Sequence, residues 1–278
     1  MTVIPHAHQA SAPPPVEPGL LSRALEVAGR LANDAAEVIT ATAGRDHQAG
    51  AGPKANPFDW VTDTDRTLER HTRRVLAAEF AGVPVVGEEY GVDAGAADAP
   101  YRWVVDPVDG TANYVAGFPW CAYSLALVDA AGPVVGVIAD PSRAQIYAAA
   151  RGRGVRANGV VVRTGQRSPV GALVCSELGV DRSPGFTRAA VAAHTGVRVL
   201  GSASLAITQV ALGHAVAAVL DDYREWDVAG ALCLAVEAGA LVVDGEGRPD
   251  PLPVGGLVVA VPGALDAVLG WWRAGSAI

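Results

Sequence analysis

The chain has 278 residues, half of them hydrophobic, and its formal net charge is -8. This length and apolar content allow one large domain or two small ones with a substantial core. The acidic balance argues against nucleic-acid binding as the main task. We see no membrane span, secretory signal, disulfide pattern or zinc pattern, so Cys121, Cys175 and Cys233 predict reduced core thiols of a cytoplasmic protein.

The N-terminal part is predicted to contain a tail and two packing helices. Residues 1–19 are rich in Ala and Pro without an apolar period, which predicts a mobile tail. Over residues 20–42, apolar positions recur at helical spacing. Thr62 and Asp63 are typical of a helix start and precede a second amphipathic stretch, residues 65–80. We expect both helices to pack on the core.

The central stretch combines an apolar run with two acids and a turn. Residues 103–105 are typical of an interior strand, and Asp106 follows them. Because Pro107 cannot donate a ladder hydrogen bond, we expect the chain to leave the sheet there, with Asp109 and Gly110 supplying a turn. If this segment coils into one helical turn, Asp106 and Asp109 project to the same side.

This stretch suggests a metal and a phosphate. Two carboxylates aimed at one point repel each other unless a cation lies between them, and oxygen ligands without His or Cys favour Mg²⁺. The backbone N–H groups of Gly110, Thr111 and Ala112 would face an anion at a helix start, and a phosphate fits there. Taken alone, Asp106 and Asp109 are more typical of a solvated strand end and an ordinary turn than of a metal site, because so short a motif often occurs by chance.

Acids also stand at the ends of two other elements. A strand-like run, residues 83–86, is followed by Glu88 and Glu89. Far downstream, Asp227 lies in the first turn of an apolar helix. These positions place further carboxylates where chemistry is often found.

The rest of the chain predicts two differently organised halves. The first half, residues 20–150, reads as helices followed by a largely antiparallel sheet, with strands at 124–128, 134–138 and 145–150. An Asn-Gly pair at 158–159 predicts a tight hairpin. The second half, residues 151–278, alternates strands (172–176, 197–200, 216–220, 241–243) with helices (184–194, 202–212, 227–238), which is typical of an α/β layer. Trp271 and Trp272 are expected to pack in a core or an oligomer contact.

Five segments in this order resemble the signature segments of the inositol monophosphatase family, which are Mg²⁺-dependent, lithium-sensitive phosphomonoesterases. The segments are residues 61–65 (VTDTD), 87–89 (GEE), 106–113 (DPVDGTAN), 201–205 (GSASL) and 226–230 (WDVAG). The resemblance runs from about Leu20 to the end. It implies a mixed α+β and α/β fold, layered as an αβαβα sandwich of the sugar-phosphatase type. It also implies a homodimer. The acidic net charge and the lack of an apolar span lead us to expect no nucleic-acid or membrane partner.

The resemblance implies two or three Mg²⁺ ions per site. One ion would be held by Glu88, Asp106 and the Val108 carbonyl. A second would be held by Asp106, Asp109 and Asp227, so that Asp106 bridges the two.

The resemblance also implies how water is activated. Asp65 would pair with Thr111, and together with Glu88 they would orient the attacking water and accept its proton. Glu89 would lie behind Glu88. Lys54, in a Gly-, Ala- and Pro-rich loop, would be a basic residue near the site, although a solvated lysine fits the sequence equally well.

The substrate is less closely specified. By resemblance, the phosphorylated substrate would contact Asp109 to Ala112, Gly201 to Ala203 and Asp227. Family members also use a Glu ahead of the Trp-Asp pair to hold sugar hydroxyls. Here the region is shorter, so Asp221, Asp222 or Glu225 would have to substitute, or Asp221 and Asp222 form a solvated strand end.

Several functions remain open on the sequence alone. An inositol 1-phosphate phosphatase ranks first. Histidinol phosphate, fructose 1,6-bisphosphate and adenosine 3′,5′-bisphosphate are substrates of relatives with the same metal centre. A non-catalytic relative that binds metal or a phosphorylated ligand is the alternative from another functional class.

Overall fold

The structure is a computed structural model that describes residues 15–45, 52–53 and 60–276, with only the backbone at 52, 53 and 60. Its helices are α1 (Pro18–Thr42), α2 (Asp63–Glu79), α3 (Thr111–Ala116), α4 (Ser183–Ala192), α5 (Ala203–Ala211), α6 (Glu225–Ala238) and α7 (Leu265–Gly275). Within these described ranges, no helix has the length and apolar character needed to cross a bilayer.

The first sheet has eight strands. They are β3 (Val85–Gly87), β4 (Gly91–Val92), β5 (Arg102–Asp109), β6 (Ala122–Asp129), β7 (Gly132–Asp140), β8 (Gln145–Ala150), β9 (Gly154–Ala157) and β10 (Val160–Val162), in the order β10-β9-β8-β7-β6-β5-β3-β4. Only β3 and β5 pair in parallel, so the sheet is largely antiparallel, as predicted. A separate two-stranded ribbon joins β1 (Gly52–Pro53) to β2 (Trp60–Val61).

The second sheet has five strands. They are β11 (Leu173–Glu177), β12 (Gly196–Arg198), β13 (Ala217–Leu220), β14 (Leu241–Asp244) and β15 (Leu257–Ala260), in the order β12-β11-β13-β15-β14. The crossovers through α4 and α5 leave β11, β12 and β13 parallel, whereas β15 runs antiparallel to both of its neighbours. The strand after the predicted 241–243 segment and the helix α7 were not predicted.

The elements stack in five layers. Helices α1 and α2 cover one face of the eight-stranded sheet, and α5 and α6 lie between the two sheets. Helices α4 and α7 cover the far face of the five-stranded sheet, where Trp271 and Trp272 are buried. The fold is therefore the expected αβαβα sandwich, and both tryptophans pack in the core.

The local predictions differ from the structure at some boundaries. Pro18 and Gly19 belong to α1, because Glu17 caps the helix by accepting hydrogen bonds from the N–H groups of Gly19 and Leu20. The predicted tail was therefore two residues too long, and residues 1–14 lie outside the described ranges. The Asn158-Gly159 hairpin is confirmed, since β9 pairs with β10 around it.

Candidate active site

Strand β5 continues past Asp106, so the expectation that the chain leaves the sheet at Pro107 was wrong. The strand ends at Asp109, and a register shift separates the pair Asp106–Ser124 from the pair Asp109–Ala122. Three steps along β5 therefore oppose two steps along β6, as in a β-bulge. A proline is tolerated in a bulge because no ladder donor is needed there.

The bulge, and not a helical turn, brings the two acids to one side. In a regular strand, residues three apart point to opposite faces. The extra residue in the bulge shifts the alternation by one position and compensates for the odd spacing. Asp106 and Asp109 are both buried, and the N–H of Val108 donates to Asp106 Oδ1 at 3.0 Å.

Four carboxylates from three parts of the chain lie close together, and their charges affect the pKa values of Asp106 and Asp227. Burial raises the pKa of Asp106 well above its usual value, and the nearby charges of Glu88, Asp109 and Asp227 raise it further. Glu88 also hydrogen-bonds Asp106. Burial raises the pKa of Asp227 to about 7, with Asp109 and Glu88 contributing in the same direction. The structure thus brings Glu88, Asp106, Asp109 and Asp227 together.

Asp227 is oriented by the start of helix α6. Its Oδ2 accepts the N–H of Arg224 at 2.6 Å, and the residue lies in the first helical turn. That hydrogen bond lowers the pKa of Asp227 but does not overcome the effect of burial. Helix α6 therefore presents a carboxylate toward β5 from the opposite half of the molecule.

Asp109 is held by the segment that begins helix α5. Its Oδ2 accepts from the Ser204 N–H at 2.8 Å and from the hydroxyls of Ser202 and Ser204 at 2.5 Å each. Its Oδ1 accepts the Ala203 N–H at 3.2 Å. Burial raises the pKa of Asp109 even though these hydrogen bonds lower it.

Asp65 and Thr111 are adjacent at the start of helices α2 and α3. Thr62 is the N-cap of α2 and donates its hydroxyl and its N–H (2.9 Å) to Asp65 Oδ2. The Thr111 hydroxyl lies 3.3 Å from Asp65 Oδ1 and 2.9 Å from the Val108 carbonyl oxygen. Burial raises the pKa of Asp65 to about 7, and Glu89 and Glu88 add to the increase.

The turn before α3 requires glycine. Gly110 is the N-cap of α3 with a φ of 85°, which disfavours side chains with a Cβ. A Cβ at this position would also lie 2.8 Å from the Trp120 carbonyl oxygen and 2.9 Å from that of Gly201. The first-turn N–H groups of Thr111 and Ala112 have no acceptor within their own helix. They remain suited to an anion.

Two glutamates that the sequence analysis missed, Glu69 (buried) and Glu177 (half-buried), support these turns. Glu69, on α2, accepts the N–H groups of Glu89 at 2.7 Å and Tyr90 at 3.1 Å. Glu177, at the end of β11, accepts the N–H groups of Leu200 at 2.8 Å and Gly201 at 3.2 Å. Burial raises the pKa of Glu177 to about 7.

Sequence signals for both glutamates existed. Glu69 stands between Leu68 and Thr72 on the buried face of α2, where an acid needs partners. Glu177 follows the predicted strand 172–176, as Glu88 follows its strand. Asn113 was also missed as a positioning residue: its side-chain amide donates to the carbonyls of Trp120 at 2.7 Å and Leu200 at 2.8 Å, joining the two halves.

The remaining candidates have varied surroundings. Asp221 accepts the Gly179 N–H at 2.8 Å and lies 3.5 Å from Arg182, and Glu225 pairs with Arg102. Both carboxylates thus already have partners, whereas Asp222 is exposed. Lys54 lies outside the described residues. Glu89 is near enough to Asp65 to raise its pKa.

The donor set fits a hard cation. Buried carboxylate oxygens predominate, and no arginine in the described ranges forms a salt bridge with Asp106, Asp109 or Asp227. Over those same ranges, no three His, Cys, Asp or Glu side chains are arranged as a formed metal cluster. Coordination therefore requires side-chain adjustments, since Asp109 and Asp227 direct oxygens at Ser202, Ser204 and the Arg224 N–H.

Comparison with known proteins gives the family. The family model described as "Inositol monophosphatase family" matches residues 20–270. The chain belongs to the inositol monophosphatase family. Members of this family are metal-dependent phosphoric monoester hydrolases that act on small phosphorylated substrates, so the chain is placed among phosphatases.

Three individual similarities agree with the family. Inositol-1-monophosphatase of Rhizobium meliloti is 35% identical over 210 residues, covering 73% of this chain and 78% of that protein. The Nus factor SuhB of Pseudomonas aeruginosa is 32% identical over 255 residues, covering 88% and 94%. The solved structure of an inositol monophosphatase from Thermotoga maritima superposes with a TM-score of 0.83 at 25% identity, covering 91% and 97%.

Proposed function

We propose that this family member hydrolyses a small phosphate monoester by Mg²⁺-dependent, direct attack of water, with inositol 1-phosphate as the first candidate substrate. The supporting observation is the group of acids Glu88, Asp106, Asp109 and Asp227, in which Asp106 and Asp109 are buried and the neighbouring charges raise the pKa of Asp106 and of Asp227. Such like charges at one point are stabilised by cations.

The proposed metal ligands are those that the family resemblance implies, and the closeness of Glu88, Asp109 and Asp227 to Asp106 supports them. Glu88, Asp106 and the Val108 carbonyl would hold one Mg²⁺. Asp106, Asp109 and Asp227 would hold a second, with a third ion per site left open. Bound Mg²⁺ lowers the pKa of water and stabilises negative charge on phosphate and leaving-group oxygens.

Asp65 and Thr111 are suited to move a proton from the attacking water. With the Thr111 hydroxyl 3.3 Å from Asp65 Oδ1, the hydroxyl can pass its own proton to Asp65 while it takes one from water. A base with a pKa of about 7 is matched to proton transfer near neutral pH. Glu88 would orient the same water.

The phosphate and the leaving group would bind on either side of the metal ligands. The backbone N–H groups of Gly110, Thr111 and Ala112 can donate to phosphate oxygens at the start of α3. The proposed contacts of the organic part are Asp109, Asp227 and residues 201–203. The name of the Rhizobium meliloti relative supports inositol 1-phosphate as the substrate. Asp221 and Glu225 already have partners within the protein, so Asp222 is the acid of this region that is more available to contact substrate hydroxyls.

A substrate panel tests the proposal. Phosphate release is measured with inositol 1-phosphate, histidinol phosphate, fructose 1,6-bisphosphate and adenosine 3′,5′-bisphosphate, with Mg²⁺ and then with a chelator. We expect the highest kcat/KM with inositol 1-phosphate and loss of turnover with chelator. Highest activity on another substrate corrects the substrate only.

The alternative is a non-catalytic role, and one relative is a Nus factor. The contact between Asp65 and Thr111 favours catalysis, because binding alone needs no proton acceptor beside the metal ligands. Absence of turnover across the whole panel with Mg²⁺ present, together with retained Mg²⁺ binding, would establish the non-catalytic role instead.

A further inference from the structure

The turn that carries Glu88 is fastened to helix α2. Glu88 lies between β3 and β4, a short antiparallel pair at the edge of the eight-stranded sheet. Glu69 of α2 accepts the next two backbone N–H groups, those of Glu89 at 2.7 Å and Tyr90 at 3.1 Å. Glu69 is fully buried, so each of these hydrogen bonds forms away from water and is costly to lose.

Arg73 adds a second attachment one helical turn later. Its Nε donates to Glu69 Oε1 at 2.8 Å, and its guanidinium donates to the Gly91 carbonyl at 2.6 Å and to Asp93 at 2.8 Å. Asp93 in turn accepts the Val85 N–H at 3.0 Å. The start of β3 and the start of β4 are therefore both tied to α2.

The fit between Glu69 and the turn is tight. A Cβ added to Gly87 would lie 2.1 Å from Glu69 Oε1 and 2.5 Å from its carboxyl carbon. No side chain can be placed there unless Glu69 moves. The carboxylate of Glu69 therefore fits directly against the backbone that leads into Glu88.

Helix α2 also carries Asp65, four residues before Glu69. Residues four apart lie on the same face of a helix, and both carboxylates are buried. Asp65 is fixed at the helix start by Thr62, and Glu69 fixes the Glu88 turn one helical turn later. One rigid helix thus sets the position of Glu88 relative to Asp65 and Thr111.

We propose that Glu69 is a positioning residue that orders the Glu88 turn for Mg²⁺ binding, with Arg73 holding Glu69 in place. This inference rests on the proposed function, in which Glu88 is a metal ligand. Partners that orient metal ligands commonly change metal affinity by roughly 10- to 100-fold when they are mutated. Glu69 reaches Glu88 through the backbone and touches neither substrate nor metal.

The test compares Glu69→Gln with Glu79→Gln. Glutamine keeps one acceptor oxygen but presents an NH₂ group to backbone donors and to Arg73, so the turn loosens. Glu79 provides a matched control, because it lies on the same helix and pairs with Arg23 and Arg30 away from the acid cluster. Mg²⁺ affinity is measured by calorimetry without substrate, alongside the Mg²⁺ concentration for half-maximal phosphate release.

We expect Glu69→Gln to weaken Mg²⁺ binding about tenfold or more. Its substrate KM at saturating Mg²⁺ should stay within about twofold of the wild-type value, and Glu79→Gln should match the wild type in both measurements. A merely structural role would lower the melting temperature of Glu69→Gln without changing Mg²⁺ affinity, and that result would overturn the inference.

Two further results keep the inference testable. If Glu69→Gln does not fold, Arg73→Lys decides: Mg²⁺ affinity weakened threefold or more supports the positioning role, and unchanged affinity overturns it. If the wild-type chain binds Mg²⁺ but releases no phosphate, the proposed function fails while the Mg²⁺ titrations still judge Glu69. If the wild-type chain does not bind Mg²⁺, both fail.

Discussion

The acids on the two sides of the site have opposite kinds of partner. On one side, in the first half of the chain, Glu88 and Asp109 lie close enough to Asp106 for their charges to oppose its ionisation. On the other side, in the second half of the chain, Asp221 lies beside Arg182, and Glu225 lies beside Arg102 of β5. All five stand near strand or helix ends, so their location does not distinguish them.

This difference gives a criterion that separates the proposed metal ligands from acids that stabilise the fold by pairing with arginine. A carboxylate paired with arginine gains a partner of opposite sign and needs nothing more. Asp106 and Asp109 are instead buried near other carboxylates, and a bound cation can offset such a concentration of negative charge. The charge pattern, more than the spacing of acids in the sequence, therefore supports the proposed metal ligands.

The strongest test of this difference is to neutralise one acid of each group and compare the two variants. We expect Asp109→Asn to lower kcat/KM for the best panel substrate by roughly 1,000-fold or more, because the proposed second Mg²⁺ loses a charged ligand. Asp221→Asn should lower it by less than about threefold, since asparagine can still accept the Gly179 N–H. Both are measured by phosphate release after circular dichroism has verified the fold.

Either variant can contradict the comparison. A near-wild-type rate for Asp109→Asn would remove Asp109 from the metal site. A large rise in KM for Asp221→Asn would show that this acid contacts the substrate, as the sequence left open, and that its pairing with Arg182 is not its main role.

The next largest effect concerns the proposed proton transfer through the Thr111 hydroxyl to Asp65. Thr111→Val keeps the shape of the side chain but removes the hydroxyl between Asp65 and the Val108 carbonyl. We expect kcat to fall by roughly 100-fold or more, within the usual range for lost acid–base catalysis. Thr111→Ser retains the hydroxyl and serves as the control in the same steady-state assay. Equal loss in both variants would argue that the methyl group, and not the hydroxyl, matters.

A smaller effect is expected from changing Glu177, which holds the segment that leads into helix α5. Glu177→Gln weakens the hold on the Leu200 and Gly201 N–H groups, and this segment leads into the donors to Asp109. We expect KM to rise roughly tenfold, equivalent to about 1.4 kcal/mol, with Mg²⁺ affinity within about twofold of the wild type. The opposite result, weaker Mg²⁺ binding with an unchanged KM, would show that Glu177 supports the proposed metal ligands and not the substrate contacts.

The sequence was most informative where a motif coincided with an element boundary. The five-layer architecture, the α2 start at Asp63 and the Asn158-Gly159 hairpin were predicted and are confirmed. The helix start and the hairpin depend on local signals, a cap and turn residues, whereas the layered architecture was expected from the family resemblance. The motif order gave the family, which the family comparison confirms.

The rest depended on contacts between distant residues. The bulge in β5 could not be read from Pro107, because a proline ends one strand and is accommodated in another according to its neighbours. Glu69 and Glu177 looked like ordinary acids until the backbone N–H groups they accept were placed beside them. The roles of Asp65, Glu88 and Thr111 stay predictions that the variants above test.

The smallest predicted effect is the change in the free energy of unfolding with pH, which depends on the raised pKa values of the acids at the site. The pKa values of Asp65 and Asp227 are raised to about 7, and burial with nearby like charges raises that of Asp106 well above its usual value. The folded chain therefore binds more protons than the unfolded chain between about pH 4 and pH 7, so the free energy of unfolding should fall as pH rises through this window.

In a chelating buffer we expect the melting temperature to decrease from pH 5 to pH 8. Added Mg²⁺ should raise it more at pH 8 than at pH 5, because the ion binds the deprotonated acids. Asp106→Asn is the matched variant: it removes one of the opposed charges and should flatten the decrease, whereas a decrease of unchanged size would assign the pH dependence to other groups.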